Sequence, residues 1–291
     1  MNNRKGIILA GGSGSRLYPC TETISKQLIP VYDKPMIYYP LSTLMRAKIR
    51  DILVISTPSH LPLFKKLLKD GERFGLNIDY AVQDNPGGLA QAFLLGEKFI
   101  DDDPCCLILG DNLFLGAGLN DLLLSASIDQ KNSSIFSYQV SDPSRFGVVE
   151  LDKNDEVLDI VEKPKKPKSN YVVTGIYFYD ENVVECAKSL SPSERGELEI
   201  TDLNKIYIEK GNLKLKKMSA GLTWLDMGTP KSLMEASNLI HTLEKRQGVK
   251  IGCPEEVAFQ NGWIDAEKLI NLIGENKNEY NDYLLKRISS T

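Results

Sequence analysis

The stretch KGIILAGGSGSRLYP, Lys5 to Pro19, decides how the chain is read. Gly6 to Ala10 form a short apolar run, the pattern of a strand buried on both faces. At Gly11 the run breaks into three glycines and two serines, and the loop ends on Arg16. Glycine lets backbone N–H groups turn toward an anion and lets that anion come close. Arginine adds a permanent forked donor suited to phosphate oxygens. Two familiar loops fail here. The dinucleotide fingerprint needs a third glycine and an acid after the second strand. This chain has Ser15-Arg16-Leu17 and then STPSH (Ser56–His60). A P-loop needs Lys-Ser/Thr after its last glycine, where Ser15-Arg16 stands.

Outward from that loop, GIILA (Gly6–Ala10), DILVIS (Asp51–Ser56), IDYAV (Ile78–Val82) and CCLILG (Cys105–Gly110) read as buried strands. Helix patterns alternate with them near Met36–Ala47, Pro62–Lys69 and Leu89–Phe99, with a kink expected at Pro40. Alternating strands and helices predict an α/β fold: a doubly wound, Rossmann-like, mixed but mostly parallel sheet with right-handed crossovers. Beyond residue 130 the strands crowd together. SSIFSYQV (Ser133–Val140), FGVVEL (Phe146–Leu151), EVLDIVEK (Glu156–Lys163) and YVVTGIYFYD (Tyr171–Asp180) predict an antiparallel or mixed extension forming one wall of a site. KPKKPKS (Lys163–Ser169) reads as a charged, proline-rich loop. Leu233, Ala236, Ile240 and Leu243 mark an amphipathic helix over Pro230–Arg246, and two short helices after Asp265 part near Gly274. The organisation expected is a core over residues 1–250, with halves of about 1–115 and 116–230, and a C-terminal helical segment over 251–291.

The 291 residues are 42% hydrophobic and 25% charged, the composition of an ordinary globular protein. A net charge of −4 lacks the basic footprint of sequence-independent nucleic-acid binding. No apolar run approaches the ~20 residues needed to cross a bilayer, and none resembles a secretory signal. Cys20, Cys105, Cys106, Cys186 and Cys253 form no Cys-x-x-Cys and read as reduced thiols, so a cytoplasmic location is expected. With only His60 and His241, zinc sites rich in histidine and Ser-His-Asp triads are disfavoured.

LAGGSGSRLYP followed by SKQLIPVYDKPMIYYPL (Ser25–Leu41) resembles the signature of the sugar-1-phosphate nucleotidylyltransferases. VQDNPGGLAQAF (Val82–Phe93), LILGDN (Leu107–Asn112), RFGVVE (Arg145–Glu150), EKPKKPKSNYVVTGIYFYD (Glu162–Asp180), RGELEITDLN (Arg195–Asn204) and WLDMGTP (Trp224–Pro230) extend the resemblance, in order, over nearly the whole chain. It implies the nucleotide-diphospho-sugar transferase version of the fold, with dTTP and glucose 1-phosphate as substrates, dTDP-glucose and pyrophosphate as products, and Mg2+ as cofactor. Arg16 and Lys26 would contact the triphosphate, Asp111 and Asp226 would carry the metal, and Lys163 would hold the sugar phosphate. Leu9, Gly11, Gly12, Gly14, Ser15, Gln83 and Gly88 complete the implied nucleotide site, with Gly88 allowing close backbone approach to the base. Asn112, Gly147, Glu162, Val173, Tyr177 and Trp224 complete the implied sugar site.

The chemistry fits the scarcity of histidine. The attacking phosphate monoester has a second pKa of about 6 and is already largely anionic at neutral pH, so no general base is required. What is required is the positioning of two polyanions and neutralisation of the leaving pyrophosphate. Phe146, Ser15 and Met227 depart from the family's usual Tyr, Thr and Thr without removing a charged group. The resemblance also implies a homotetramer and feedback inhibition by a dTDP-sugar such as dTDP-rhamnose. The rival readings are the same chemistry on UTP or another hexose 1-phosphate, and an inactive regulatory homologue. The latter would be expected to lack one of Arg16, Lys26, Asp111, Lys163 or Asp226, and all five are present.

Overall fold

In the computed structural model, residues 3–274 and 277–289 are described. The first half runs β1 (Lys5–Leu9), a hairpin of β2 (Pro30–Val31) and β3 (Lys34–Pro35), α1 (Tyr38–Arg46), β4 (Asp51–Ser56), α2 (Leu61–Leu68), β5 (Asn77–Val82), α3 (Gln91–Leu95), α4 (Glu97–Ile100), β6 (Cys105–Leu109) and β7 (Asn112–Gly116). It continues through α5 (Leu119–Ile128), β8 (Ser133–Gln139), β9 (Gly147–Leu151), β10 (Val157–Glu162), β11 (Tyr171–Tyr179), α6 (Val183–Lys188), α7 (Ile200–Glu209), β12 (Leu213–Lys217) and β13 (Leu222–Asp226). The chain ends in α8 (Pro230–Gln247), α9 (Pro254–Gln260), α10 (Ala266–Ile273) and α11 (Glu279–Ser289).

Strands β6, β1, β4 and β5 lie parallel in that order, as the alternating pattern requires. Their side chains alternate between two apolar layers. Ile8, Ile52, Val54 and Ile108 face one layer, while Ile7, Leu53, Ile55 and Leu107 face the other. β11 is antiparallel to β6 and begins the expected mixed extension. β8 runs along one side of β11, with β12 parallel beyond it. On its other side β11 forks: Val172 pairs with Val148 of β9, whereas Ile176 to Tyr179 pair with β6. Thr174 and Gly175 sit at the opening of the fork. There the Gly175 N–H donates to Asn112 Oδ1 (3.2 Å), and a Cβ on Gly175 would lie 2.4 Å from that oxygen.

Two expectations need correction. Pro40 falls in the first turn of α1, where helix N–H groups have no carbonyl to reach, so it begins the helix rather than kinking it. The helix expected over Leu89–Phe99 divides at Gly96, where a Cβ would lie 3.1 Å from Leu53 and 3.2 Å from Ile7. The Lys/Leu alternation of β12 forms an edge strand, where lysines discourage pairing with another chain. The C-terminal helices pack within the chain: Leu269, Ile273 and Leu284 join the core and Tyr280, Tyr283 and Ile288 lie against it. Among the described residues no helix is long and apolar enough to cross a membrane.

Gly175→Ala is expected to cost about 2 kcal/mol through overpacking at the fork. Urea unfolding should show a lower midpoint with an unchanged slope.

Candidate active site

β1 and β6 deliver their carboxyl ends to a cleft of about 360 Å3 that opens at the fork, the position open α/β sheets use for ligands. The loop after β1 leaves the sheet at Ala10, whose N–H donates to Ile55 O (2.8 Å) and whose carbonyl accepts from Ser56 Oγ (2.9 Å). Gly11 is bare because Gln83 Oε1 would lie 2.6 Å from any Cβ there. Gln83 is buried (4% exposed) and donates from Nε2 to Gln91 Oε1 (2.7 Å). Gly12 is left-handed (φ 97°). Gly14 and Ser15 are not part of the cleft lining and close the loop: Gly14 O accepts from Leu17 N–H (2.8 Å) and Thr21 Oγ1 (2.9 Å).

The cleft's central feature is a two-stranded ribbon. β13 pairs antiparallel with β7, Asp226 opposite Asn112, and the Met227 N–H donates to Asp111 O (2.9 Å). This register sets Asp111 and Asp226 side by side. Asp111 is 6% exposed, pairs with Lys26 Nζ and accepts from Asn112 Nδ2 at 3.1 Å. Asn112 Oδ1 accepts in turn from Trp224 Nε1 (2.6 Å) and Gly175 N. Asn112 therefore ties β7, β11 and β13 together behind the carboxylate. Arg16 Nη1 lies 4.0 Å from Asp226 Oδ2. Burial and the neighbouring Asp111 charge raise the Asp226 pKa above the ordinary carboxylate value, against the opposing pull of Arg16 and Lys26.

The opposite wall comes from β9, β10 and β11. Glu162 Oε2 accepts from Thr201 Oγ1 (2.8 Å), and its Oε1 faces Lys163 Nζ at 3.0 Å. Lys163 has φ 43°, an uncommon conformation for a residue with a side chain, and its N–H is tied to Phe146 O (3.0 Å). Gly147, Val173 and Tyr177 line this side, and burial, with the Glu162 charge, holds the Tyr177 phenol protonated. Trp224 packs on Phe146 with ring centroids 5.3 Å apart. Gly88 lines the cleft, and a Cβ there would strike the Leu198 backbone at 2.3 Å.

Every residue expected at the site except Gly14 and Ser15 lines this one cleft. Arg145 and Arg195 line it too, although nothing in the residue pattern singled them out within RFGVVE and RGELEITDLN. Arg195 holds Glu199 through a fork, Nη2 lying 2.9 Å from each oxygen. The lining cations Arg16, Lys26, Arg145, Lys163 and Arg195 are balanced by Asp111, Asp226, Glu162, Glu197 and Glu199. Among the described residues no cluster of three or more His, Cys, Asp or Glu side chains surrounds a metal position. The adjoining pair Asp111 and Asp226 offers hard oxygens alone. That suits a divalent cation that completes its shell with phosphate and water.

The sign of the Asp226 shift yields a stability prediction. A carboxylate whose folded pKa is raised destabilises the fold fully above that raised value, and the penalty vanishes below the ordinary value of about 3.9. Without divalent cations, Asp226→Asn should therefore melt at a higher temperature than the parent at neutral pH, and the gap should close on acidification. Thermal melts from pH 7 to pH 4 check this.

Residues 5–242 match the family model described as nucleotidyl transferase. A glucose-1-phosphate thymidylyltransferase from Xanthomonas campestris is 57% identical over 285 residues, covering 98% of this chain and 97% of its own. One from Neisseria meningitidis is 54% identical over 97% of this chain and 98% of its own. A Bacillus anthracis crystal structure in complex with sucrose, provisionally assigned the same name, superposes with a TM-score of 0.77 at 41% identity, covering 87% of this chain and 99% of its own. The chain therefore belongs to the nucleotidyl transferase family and, within it, to the glucose-1-phosphate thymidylyltransferases.

Proposed function

We propose that the chain transfers the thymidylyl group of dTTP to glucose 1-phosphate, releasing pyrophosphate, with Mg2+ as its divalent cation. The observation that carries this reading is the carboxylate pair flanked by Lys26 and Arg16, set between a glycine loop with Gln83 on one side and Glu162, Lys163, Tyr177 and Trp224 on the other. On this reading residues of about 1–115 hold the nucleotide and those of about 116–230 hold the sugar phosphate.

A phosphate oxygen of the sugar attacks the α-phosphorus, a new P–O bond forms, and the bond to the β-phosphate oxygen breaks. Asp111 and Asp226 would hold the cation, which supplies charge neutralisation on the phosphates. Lys26 and Arg16 otherwise face those two carboxylates, so sharing the carboxylates leaves their donors available to the triphosphate. Lys163, drawn to Glu162 at 3.0 Å, would exchange that partner for the sugar phosphate while Glu162 accepts from sugar hydroxyls. Asn112 acts from behind, holding Asp111 in its rotamer. Each cation thus already has a carboxylate where an anionic group is to sit, and the cleft needs little reorganisation when substrates enter.

Gln83 would read the pyrimidine edge through its amide, an edge that thymine and uracil share. The extra methyl is worth only about 0.8 kcal/mol when buried. We infer in addition that the chain works in the cytoplasm as a homotetramer under feedback from a dTDP-sugar such as dTDP-rhamnose. A second cavity of about 850 Å3 between α1, β7, α8 and the segment after α8 supports a regulatory site apart from the cleft.

Protein mixed with Mg2+, dTTP and glucose 1-phosphate should yield dTDP-glucose and pyrophosphate by chromatography. Asp111→Asn should lose at least about 100-fold in turnover; unchanged turnover would remove Asp111 from the metal site. In the same assay the preference for dTTP over UTP should stay well below about 1,000-fold unless the site sterically excludes the 2′-hydroxyl of UTP, since a single methyl separates the bases.

A further inference from the structure

Away from the cleft, Asp33, Lys34, Glu244 and Lys250 form a closed square of charges. Lys34 Nζ contacts Asp33 Oδ1 and Glu244 Oε1, the latter at 3.1 Å. Lys250 Nζ contacts Asp33 Oδ2 and Glu244 Oε2, the latter at 2.7 Å. Glu244 Oε1 also accepts the Ile251 N–H at 2.8 Å. Lys34 is 3% exposed and Glu244 6%. Lys34 Nζ lies 5.4 Å over the Tyr39 ring and Lys250 Nζ 5.5 Å over Tyr32. Buried ion pairs are a poor source of stability, since apolar groups of equal volume do as well or better. What four mutually satisfied charges supply is a fixed geometry.

The square joins three segments: the tip of the β2–β3 hairpin, the last turns of α8, and the chain just past α8. Two of them lead to the cleft. At the base of the hairpin, Met36 N–H donates to Ile29 O (3.0 Å) and Ile37 N–H to Gln27 O (2.8 Å). The short turn Lys26–Leu28 thus hangs from the hairpin. α8 begins at Pro230, just after Asp226, and is locked there by the reciprocal Thr229–Ser232 cap. From Pro230 to Glu244 the helix is a rod of about 21 Å at 1.5 Å per residue. Between these arms, Val31, Met36, Leu113, Met227, Ala236 and Ile240 form a small apolar cluster of their own. The square is therefore the common anchor of the segments bearing Lys26 and Asp226.

We propose that Asp33, Lys34, Glu244 and Lys250 are positioning residues for thymidylyl transfer, fixing the Lys26 turn through the β2–β3 hairpin and the Asp226 end of β13 through about 21 Å of α8. The inference rests on the function proposed above. It identifies a distance-setting device built from residues that touch neither substrate.

The test uses full-length protein and Glu244→Gln, which keeps the shape and removes one charge. Turnover of the wild type with Mg2+, dTTP and glucose 1-phosphate comes first. An inactive wild type sinks the underlying reading, whereas an active one isolates the positioning claim. Glu244→Gln should lower kcat about tenfold or more, with KM for glucose 1-phosphate held within about twofold, because Lys163 and Glu162 lie on the other wall. The decisive arm is the same change in a Lys26→Met background. There it should cost less than about twofold further, since its effect runs through Lys26. Should Glu244→Gln fail to fold, Lys250→Met, at the square's outer edge, takes its place. A folded variant with wild-type kcat, or a loss that multiplies fully with that of Lys26→Met, overturns the proposal.

Discussion

Two carboxylates held side by side in a half-buried cleft are the constraint around which the rest of this molecule is arranged. Asp111 and Asp226 come from distant parts of the chain, and the antiparallel register of β7 on β13 alone brings them together. Left to themselves they would repel, and burial would add to the cost. Lys26 and Arg16 offset part of that cost, and Asn112 fixes the rotamer of one partner. The raised pKa of Asp226 is the remainder, a local instability retained at the site where a cation has the most to gain.

The fork in the sheet gives those groups their setting. A continuous sheet would have closed the space between β6 and β9. Instead β11 exchanges one neighbour for the other at Thr174 and Gly175, and the gap becomes the floor of the cleft. The parallel half supplies the glycine loop, Lys26 and Gln83. The antiparallel half supplies Gly147, Glu162, Lys163, Val173 and Tyr177. On the proposed reading each wall would take one of two mutually repelling substrates, with the cations at the seam between them. The even count of acids and bases leaves the lining with no net formal charge.

Rigid connections from outside the cleft complete this arrangement. α8 leaves the ribbon just after Asp226 and carries its last turns to a buried set of charges shared with the β2–β3 hairpin, from whose base the Lys26 turn hangs. The small apolar cluster between them resists compression as any packed core does. The Asp111–Asp226 pair is thus braced from behind by packing and charge.

The sequence alone determined the parallel half of the sheet, the crowding of strands beyond residue 130, α8 and the nature of the opening loop. Those follow from local periodicity and from the restricted chemistry of glycine and arginine. The resemblance carried by the motifs named 16 of the 28 residues that line the cleft, all of its expected charged groups among them. Three matters were decided only in three dimensions. The Asp111–Asp226 pairing depends on strand register, a long-range property that no local pattern encodes. Arg145 and Arg195 carried no signal of their own in the sequence; the turn before β9 and the loop before α7 place them in the cleft lining. Gly88 was expected to face the base, and the fold adds a second demand on it, the close approach of the Leu198 backbone, because a missing side chain signals close approach without saying what approaches.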